Sequence, residues 1–597
     1  MIADFSGMLP LRDPILLPDV NAQFAENTWL YEGAVRGFRQ ESSVYTILYA
    51  DTQLVYRIPI TAANPPDFSA TGSIWMEFPD PYMAAIRNPT VGDQWDRYYF
   101  FPSDQYNSTG ANPEWPTSSP GPVYNTLANI QSGTPMMPLG VPVPVTAPTV
   151  TPSIGGSVQE SRAYVYTMVT AYSEEGCPSP PTVANGFTDA GAWIIDIPPP
   201  PAGTGTNVDD YRLYRTVTDS SGNATYYQVQ QVAINWAGYT QVVDGAADAS
   251  ITANQQLQSI NYLPPPPGLQ GVVLMANGIA AGYTNSREIW FSEPYLPHAW
   301  PAVYALTVDY PVVGLTANGT SLNIMTEGSP FIATGVTPDT MTIGKIVANE
   351  PCIGRGSIVA GGEGAYYASP NGYILLNTGG TSNVTDQIFE KEFWYQIQPW
   401  NLVSGRYSLS MACFIKGMGA PSIDPNAGDY INGSVIDFTD TNVPFTYLKT
   451  FTPIVNALTD ELSGQIFYIT DNQVYQWNPP NGGVLWPWIY KTKKFRFTFP
   501  QQFKAFMVLF DIPPEVTFLP GIRNTDQTQE YDPTTQYLIC RVFGDGEQLV
   551  VREVQQSGEV LLIPHGTKWT QWEFQFEGVI RMKFFKAATS VKELKVA

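Results

Sequence analysis

Glu288-Ile-Trp-Phe-Ser-Glu-Pro-Tyr-Leu-Pro-His-Ala-Trp-Pro301 sets the reading of this chain. Ile289, Trp290 and Phe291 suit a pleated, half-buried strand. Pro294, Pro297 and Pro301 then fix φ and remove backbone donors, so neither a helix nor an inner strand can continue. Leu306-Thr-Val-Asp-Tyr310 predicts a second strand and Val312-Val-Gly-Leu315 a third. A rigid aromatic loop is held between short strands, and nothing in it suggests chemistry.

Strand pairs with glycine-rich turns recur on both sides of this loop. Val272-Val-Leu-Met275 precedes Gly278-Ile-Ala-Ala-Gly282, and Leu322-Asn-Ile-Met325 precedes Pro330-Phe-Ile-Ala333. Gly364 to Leu376 predicts a hairpin, with Asn371-Gly372 as a turn whose two central residues take positive φ. Gln465-Ile-Phe-Tyr-Ile469 and Val474-Tyr-Gln-Trp477, joined through Thr470-Asp-Asn472, predict another. Hairpins recurring every few tens of residues mark the blades of a propeller.

Upstream, strands are expected at 43–49, 54–60, 73–78 and 95–101, after a short helix-like patch, Asn21-Ala-Gln-Phe-Ala-Glu-Asn27. Val141-Pro-Val-Pro-Val-Thr-Ala-Pro148 reads as a semi-rigid linker. Beyond it Arg162 to Tyr172 alternates, with Ala163, Val165, Thr167, Val169 and Ala171 on one face and Tyr164, Tyr166, Met168 and Tyr172 on the other. With the turn Ser173-Glu-Glu-Gly-Cys-Pro-Ser-Pro-Pro181 and later strands, this resembles a fibronectin-III-like sandwich. Pro264-Pro-Pro-Pro267 is a second linker. Near the C-terminus Trp572, Phe574 and Phe576 share one face and Gln571, Glu573 and Gln575 the other, as in a sheet packed on one side.

The expected fold is therefore all-β. It has an N-terminal β-rich platform with the first propeller strands (1–145), an inserted fibronectin-III/Ig-like β-sandwich (146–263), a β-propeller core (264–487) and a C-terminal sandwich or platform segment (488–597). Length agrees, because 597 residues exceed one hydrophobic core. Pro and Gly number 53 and 50 while charged residues are only 14%, a mix that fits short strands and tight turns rather than helices. Hydrophobic residues at 44% argue against a disordered chain.

A net charge of −23 opposes static binding to nucleic acid, whose affinity comes from neutralised phosphates. It suits solubility, or a surface past which DNA slides. The first residues, Met1-Ile-Ala-Asp-Phe-Ser-Gly7, lack the basic and apolar regions of a signal peptide, so synthesis in the cytoplasm is expected. Cys177, Cys352, Cys413 and Cys540 show no metal-ligand spacing and read as buried free thiols.

Chemistry is hard to find. The two histidines, His298 and His565, both stand beside prolines and far apart, which argues against a histidine metal site or a catalytic triad. His298 reads as a packed or exposed loop residue. A glycosidase pair would draw on Asp386, Glu390, Asp437 or Glu293, but no spacing singles two of them out. Asp437-Phe-Thr-Asp-Thr-Asn442 offers oxygen ligands without the central Gly and terminal Glu of a calcium loop. Lys491-Thr-Lys-Lys494 is the one compact basic cluster, suited to local salt bridges, a subunit contact or DNA. No catalytic, cofactor-binding or metal residue is assigned, and no cofactor is expected.

Trp290 to Pro301, with Val308-Asp-Tyr-Pro-Val-Val-Gly-Leu315, resembles the tail nozzle family, or tail tubular proteins B, of short-tailed bacteriophages. Other motifs agree in order: Phe5-Ser-Gly7, Leu17-Pro18, Ala22, Ala25, Asn27, Gly33-Ala-Val-Arg-Gly-Phe-Arg39, Tyr367 to Leu375, Asn383 to Phe389, Tyr490 to Phe495 and Ala587 to Leu594. The resemblance implies a non-enzymatic ring, usually a hexamer, below the tail adaptor ring. That ring continues the conduit for double-stranded DNA during genome ejection. It implies a virion tail location, attachment of tail fibres or tailspikes, and contact with the host cell surface. The competing expectation, drawn from abundant Trp and carboxylates, is a carbohydrate-binding or polysaccharide-degrading propeller of the virion.

Overall fold

The computed structural model describes residues 5–31, 33–60, 72–200, 207–218, 223–285, 287–407, 410–417, 420–421, 430–431, 433–437, 445–449, 453–460, 463–480, 485–511, 537–564, 566 and 568–595. The protein is all-β and of the propeller class, built from four-stranded antiparallel meanders and sandwich sheets. Its longest α-helix among the described residues, Lys391–Gln396, has six residues. No described helix is long and apolar enough to cross a membrane. Two compact units are present, one of residues 1–77, 325–330 and 346–597, the other of residues 78–324 and 331–345.

In the first unit the two ends of the chain share sheets. Asn21–Glu26 lies between Ser6–Met8 and Trp488–Thr492, which leads on to Trp569–Gly578 and Leu538–Gly544. The helix expected over 21–27 is thus a strand. Ala22 and Ala25 are fully buried between neighbours, and Asn27 leaves the strand with φ of 52°. Tertiary pairing overrides a weak local preference here. Trp572, Phe574 and Phe576 are buried, and a second sheet holding Thr28–Tyr31, Ala34–Gly37, Arg581–Ala588, Ala505–Asp511 and Val560–Leu562 supplies Phe585 against Phe574 and Phe576. Residues 488–597 therefore build their sandwich together with residues 6–37.

Two meanders of the same unit are blade-like. Val359–Ala360, Ala365–Ser369, Gly372–Asn377 and Gly380–Asn383 form one. Its turn lies one residue earlier than the dipeptide rule predicts. Ser369 pairs with Gly372, so Pro370 and Asn371 make the turn and only Gly372 takes a positive φ. The second meander, Asn456–Asp460, Gln465–Thr470 and Gln473–Gln476, turns as expected, with Asp471 and Asn472 at φ of 48° and 57°. Its fourth strand is Ser42–Thr46, from over 400 residues away, and Gln473 accepts a hydrogen bond from Ser43 at 2.6 Å. A blade clasped by an early strand is how a propeller holds its ends.

The second unit holds two more meanders, Gln270–Leu274 to Leu306–Thr307 and Val312–Asn318 to Thr342–Lys345, and a four-stranded sheet, Ala84–Arg87, Arg97–Phe101, Val123–Thr126 and Met137–Pro138. The strand expected over 306–310 is only Leu306–Thr307. Between the last sheet and the first meander sits the inserted sandwich. Thr149–Thr151, Trp193–Ile197 and Thr240–Asp244 form one layer, and Thr182–Phe187, Gln159–Thr170, Val208–Thr218 and Ala224–Ala233 the other. Tyr164, Tyr166 and Met168 face its core with Trp193, Ile195 and Leu213. Val165, Thr167 and Val169, on the opposite face of the same strand, are buried too. That second burial comes with polar partners and leads to the seat of the sandwich.

Candidate functional site at the seat of the inserted sandwich

The chain enters the sandwich through Leu139-Gly140-Val141 and leaves it through Tyr262-Leu263-Pro264. The two segments touch. Gly140 has φ of 99°, and a Cβ placed on it would fall 2.6 Å from the Cβ of Pro264, so only glycine fits. The aromatic loop grips the exit segment: Trp300 donates its backbone N–H to the Leu263 carbonyl at 2.8 Å. The loop is braced from within. Glu293 donates to Ala299 at 2.9 Å, Ala299 to Leu296 at 3.0 Å, and the Trp300 indole Nε1 to the Pro297 carbonyl at 2.7 Å. Two of the prolines that removed donors from this stretch have their carbonyls satisfied, Pro297 by the Trp300 indole and Pro301 by the Tyr304 backbone N–H. Trp300 is fully buried and packs with Phe101, Leu139, Val272 and Ala280.

The other half of the seat is the turn Tyr172 to Cys177. Its adjacent acids point to different partners. Glu175 turns back into the sandwich, accepting from Thr167 at 2.7 Å and Tyr214 at 2.8 Å and pairing with Arg212 at 2.6 Å. Glu174 reaches out to Arg97 on the neighbouring sheet at 2.7 Å. Arg97 also grips Asp93 through Nε and Nη2 at 3.0 and 3.1 Å. Burial by itself would raise the Asp93 pKa, but the hydrogen bonds and charge of Arg97 outweigh it and hold the carboxyl below its usual range. Tyr99 and Tyr124 stack 5.8 Å apart beside this cluster, and burial first, then Glu174, pushes both phenols up.

His298 stands where loop, turn and exit segment meet. It is buried, 4% exposed, with Tyr262 edge-on at 6.4 Å between ring centroids. Its Nε2 has no hydrogen-bond partner among the described residues. Burial pushes the imidazole pKa down and Arg97 adds to that, while the Glu174 charge and a hydrogen bond with the Glu175 backbone pull the other way. The seat is a buried joint lined with paired charges, with one titratable imidazole among them.

The remaining candidates fall elsewhere. Glu293, on the aromatic loop, accepts from Tyr304 at 3.0 Å, and burial raises its pKa. Asp386 and Glu390 are exposed on either side of buried Ile388 and Phe389. Asp437 ends the strand Gly433–Asp437, and residues 438–442 of its oxygen-rich run lie outside the described residues, as does His565. Asp437 lines a recess with Trp29, Phe38, Tyr407 and Trp477. These rings contact one another at 5.1 to 6.0 Å. The recess has a volume of about 20 Å³, enough for a water-sized group and far below the roughly 300 Å³ at which ligand pockets begin. Among the described residues no three of His, Cys, Asp and Glu group as metal ligands would.

The basic cluster is engaged locally. Lys491 and Lys494 approach buried Glu573 at 3.1 and 3.9 Å, Gln23 donates to the same carboxylate at 2.6 Å, and Lys493 pairs with Asp19 at 2.9 Å. All four cysteines are free and buried.

No family model matches this chain, and no curated protein sequence does. Among solved structures it is similar to BBS1N in complex with ARL6DN (TM-score 0.24, 9% identity, 58% of this chain and 99% of that one). It is similar to Kluyvelomyces marxianus Hsv2 (0.24, 9%, 54% and 91%) and to the C-terminal WD40 domain of Sif2 (0.21, 12%, 57% and 98%). Scores this low carry no argument, and the fold rests on the strand pairing described above.

Proposed function

We propose that this chain is a structural subunit of a short bacteriophage tail. In this reading it forms a homo-oligomeric nozzle ring, a hexamer, below the adaptor ring, continues the conduit for double-stranded DNA, and takes part in genome ejection. Tail fibres or tailspikes and the host cell surface are its further partners.

The observation that carries the reading is where the resembling motifs fall. Phe5, Ala22, Val35, Tyr373, Phe389 and Tyr490 come from six separate motifs spread over most of the chain, and they belong to one hydrophobic core. Residues held in common for catalysis would be expected to surround a cleft, whereas residues held in common for architecture pack inside. Two further features agree. The chain is strongly acidic, which repels DNA rather than gripping it, and its compact basic cluster is spent on Glu573 and Asp19.

Mass spectrometry of purified virions, with antibody labelling of negatively stained particles, tests the proposal. The expected result is a multicopy virion protein labelled at the distal tail. Absence of the protein from virions that infect normally would refute it.

A further inference from the structure

We propose that the seat of the inserted sandwich is an acid-sensitive latch with His298 as its trigger. The inference goes beyond the ring-subunit reading and does not depend on it.

Three of the attachments at the root of the sandwich meet here: the contact of Gly140 with Pro264, the hydrogen bond from Trp300 to Leu263, and the ion pair of Arg97 with Glu174. His298 lies among all three. The groups that face it are known from each side. Arg97, with its partner Asp93, comes from the four-stranded sheet, Glu174 and Glu175 from the sandwich turn, and Tyr262 from the exit segment. Neutral imidazole fits this seat, since one side of the ring meets the Glu175 backbone and Nε2 needs no acceptor when it carries no proton. A proton added at Nε2 creates a buried cationic donor without an acceptor, beside the Arg97 guanidinium. Burying such a group is costly unless it is paired. Two responses relieve it. Glu174 can turn from Arg97 to His298, which breaks the bridge to the sheet, or the seat can open to water. Either response loosens the sandwich at its root, while its core, built on Tyr164, Trp193 and Leu213, is untouched.

The direction in pH follows. The folded pKa lies below the unfolded value of about 6.5, so the neutral seat is fully stable above that value and loses stability as pH falls beneath it.

Hydrogen exchange of the full-length protein, corrected for intrinsic rates and compared at pH 7.5 and 5.5, tests the latch. Amides of 172–177, 262–263 and 298–300 are expected to lose protection several-fold at pH 5.5, up to the limit of about tenfold that one group with an unfolded pKa of about 6.5 can supply, while those of Trp193–Ile197 and Thr240–Asp244 keep theirs. His298→Gln, neutral at both pH values, is expected to abolish the difference. Equal protection of the wild-type seat at the two pH values overturns the proposal, and so does a pH response that survives in His298→Gln. Should that variant fail to fold, the imidazole carbon-13 shift of His298 in the wild type decides, assigned with His565→Gln. Titration that coincides with loss of seat protection supports the latch, and titration without opening overturns it.

Discussion

The Arg97 guanidinium meets the Glu174 carboxylate at 2.7 Å across 77 residues of sequence, and both side chains are almost fully buried. A pair so placed contributes less by its presence than it costs when halved, because the survivor becomes a buried unpaired charge. Arg97→Ala is expected to destabilise the protein by about 3–5 kcal/mol, since it strands Asp93 as well as Glu174. Glu174→Ala is expected to cost less, because Asp93 still holds the guanidinium. The double variant should be milder than the sum of the two. Denaturant unfolding of all four proteins checks this, and additive losses would mean that the pair is not coupled.

Acid should also weaken the same cluster through Asp93. Asp93 has a folded pKa below its ordinary value, so its contribution is present above about pH 3.9 and is lost as pH falls through the folded value. Asp93→Asn is expected to lower the midpoint of thermal unfolding at pH 6 and to flatten its fall between about pH 4 and pH 2. A variant whose curve parallels the wild type throughout would show that Asp93 does not carry this term.

How much of this was legible beforehand depends on the range of the interaction. The turn at Asp471-Asn472 and the shared buried face of Trp572, Phe574 and Phe576 are local rules, and they hold, whereas Glu573 on the face expected to be open is buried too, against Gln23 and Lys491. The inserted sandwich was legible from strand spacing and proline-rich linkers. Asn21–Glu26 was not, because its extended form is dictated by Ser6–Met8 and Trp488–Thr492. The seat was half legible. The stiffness of the 288–301 loop follows from its prolines, but its partners Arg97, Glu174 and Leu263 come from distant segments that no period or spacing connects. His298 could be assigned to a loop, whereas its burial among charges depends on that assembly.

The two turn residues with left-handed backbone give a prediction about local geometry. Asp471 and Asn472 are types that tolerate positive φ, and glycine tolerates it best. Asn472→Gly is expected to be neutral or slightly stabilising, and Asn472→Val to cost about 1–2 kcal/mol by strain. Thermal unfolding checks both. Equal effects would show that the turn relaxes to another form.

The cysteines should be chemically silent until the fold opens. Burial pushes the Cys177 and Cys413 thiols up to about 11 and Cys352 up to about 12, so at neutral pH almost no reactive thiolate exists. An aromatic disulfide reagent at pH 7.5 is expected to modify no thiol in the native protein and four in denaturant. Fast native labelling would place at least one of them in an open region.

Trp300 offers the sharpest test of the stretch that organised the reading. It serves two ends at once. Its ring fills the core with Phe101, Val272 and Ala280, and its indole N–H satisfies the Pro297 carbonyl inside the loop. Trp300→Ala removes both and is expected to cost about 3–5 kcal/mol. Trp300→Phe keeps most of the apolar contact but leaves the Pro297 carbonyl without its donor, for which about 1–3 kcal/mol is expected. The backbone N–H of residue 300 that holds Leu263 survives in both variants, so the effects on the sandwich should differ in kind. In Trp300→Phe the amides of 262–263 should stay protected while those of Leu296, His298 and Ala299 exchange faster. In Trp300→Ala both sets should exchange faster, because the loop loses the core that fixes its backbone. If Trp300→Phe loosened 262–263 as much as Trp300→Ala, the indole hydrogen bond rather than the buried ring would be what positions the loop beneath the sandwich.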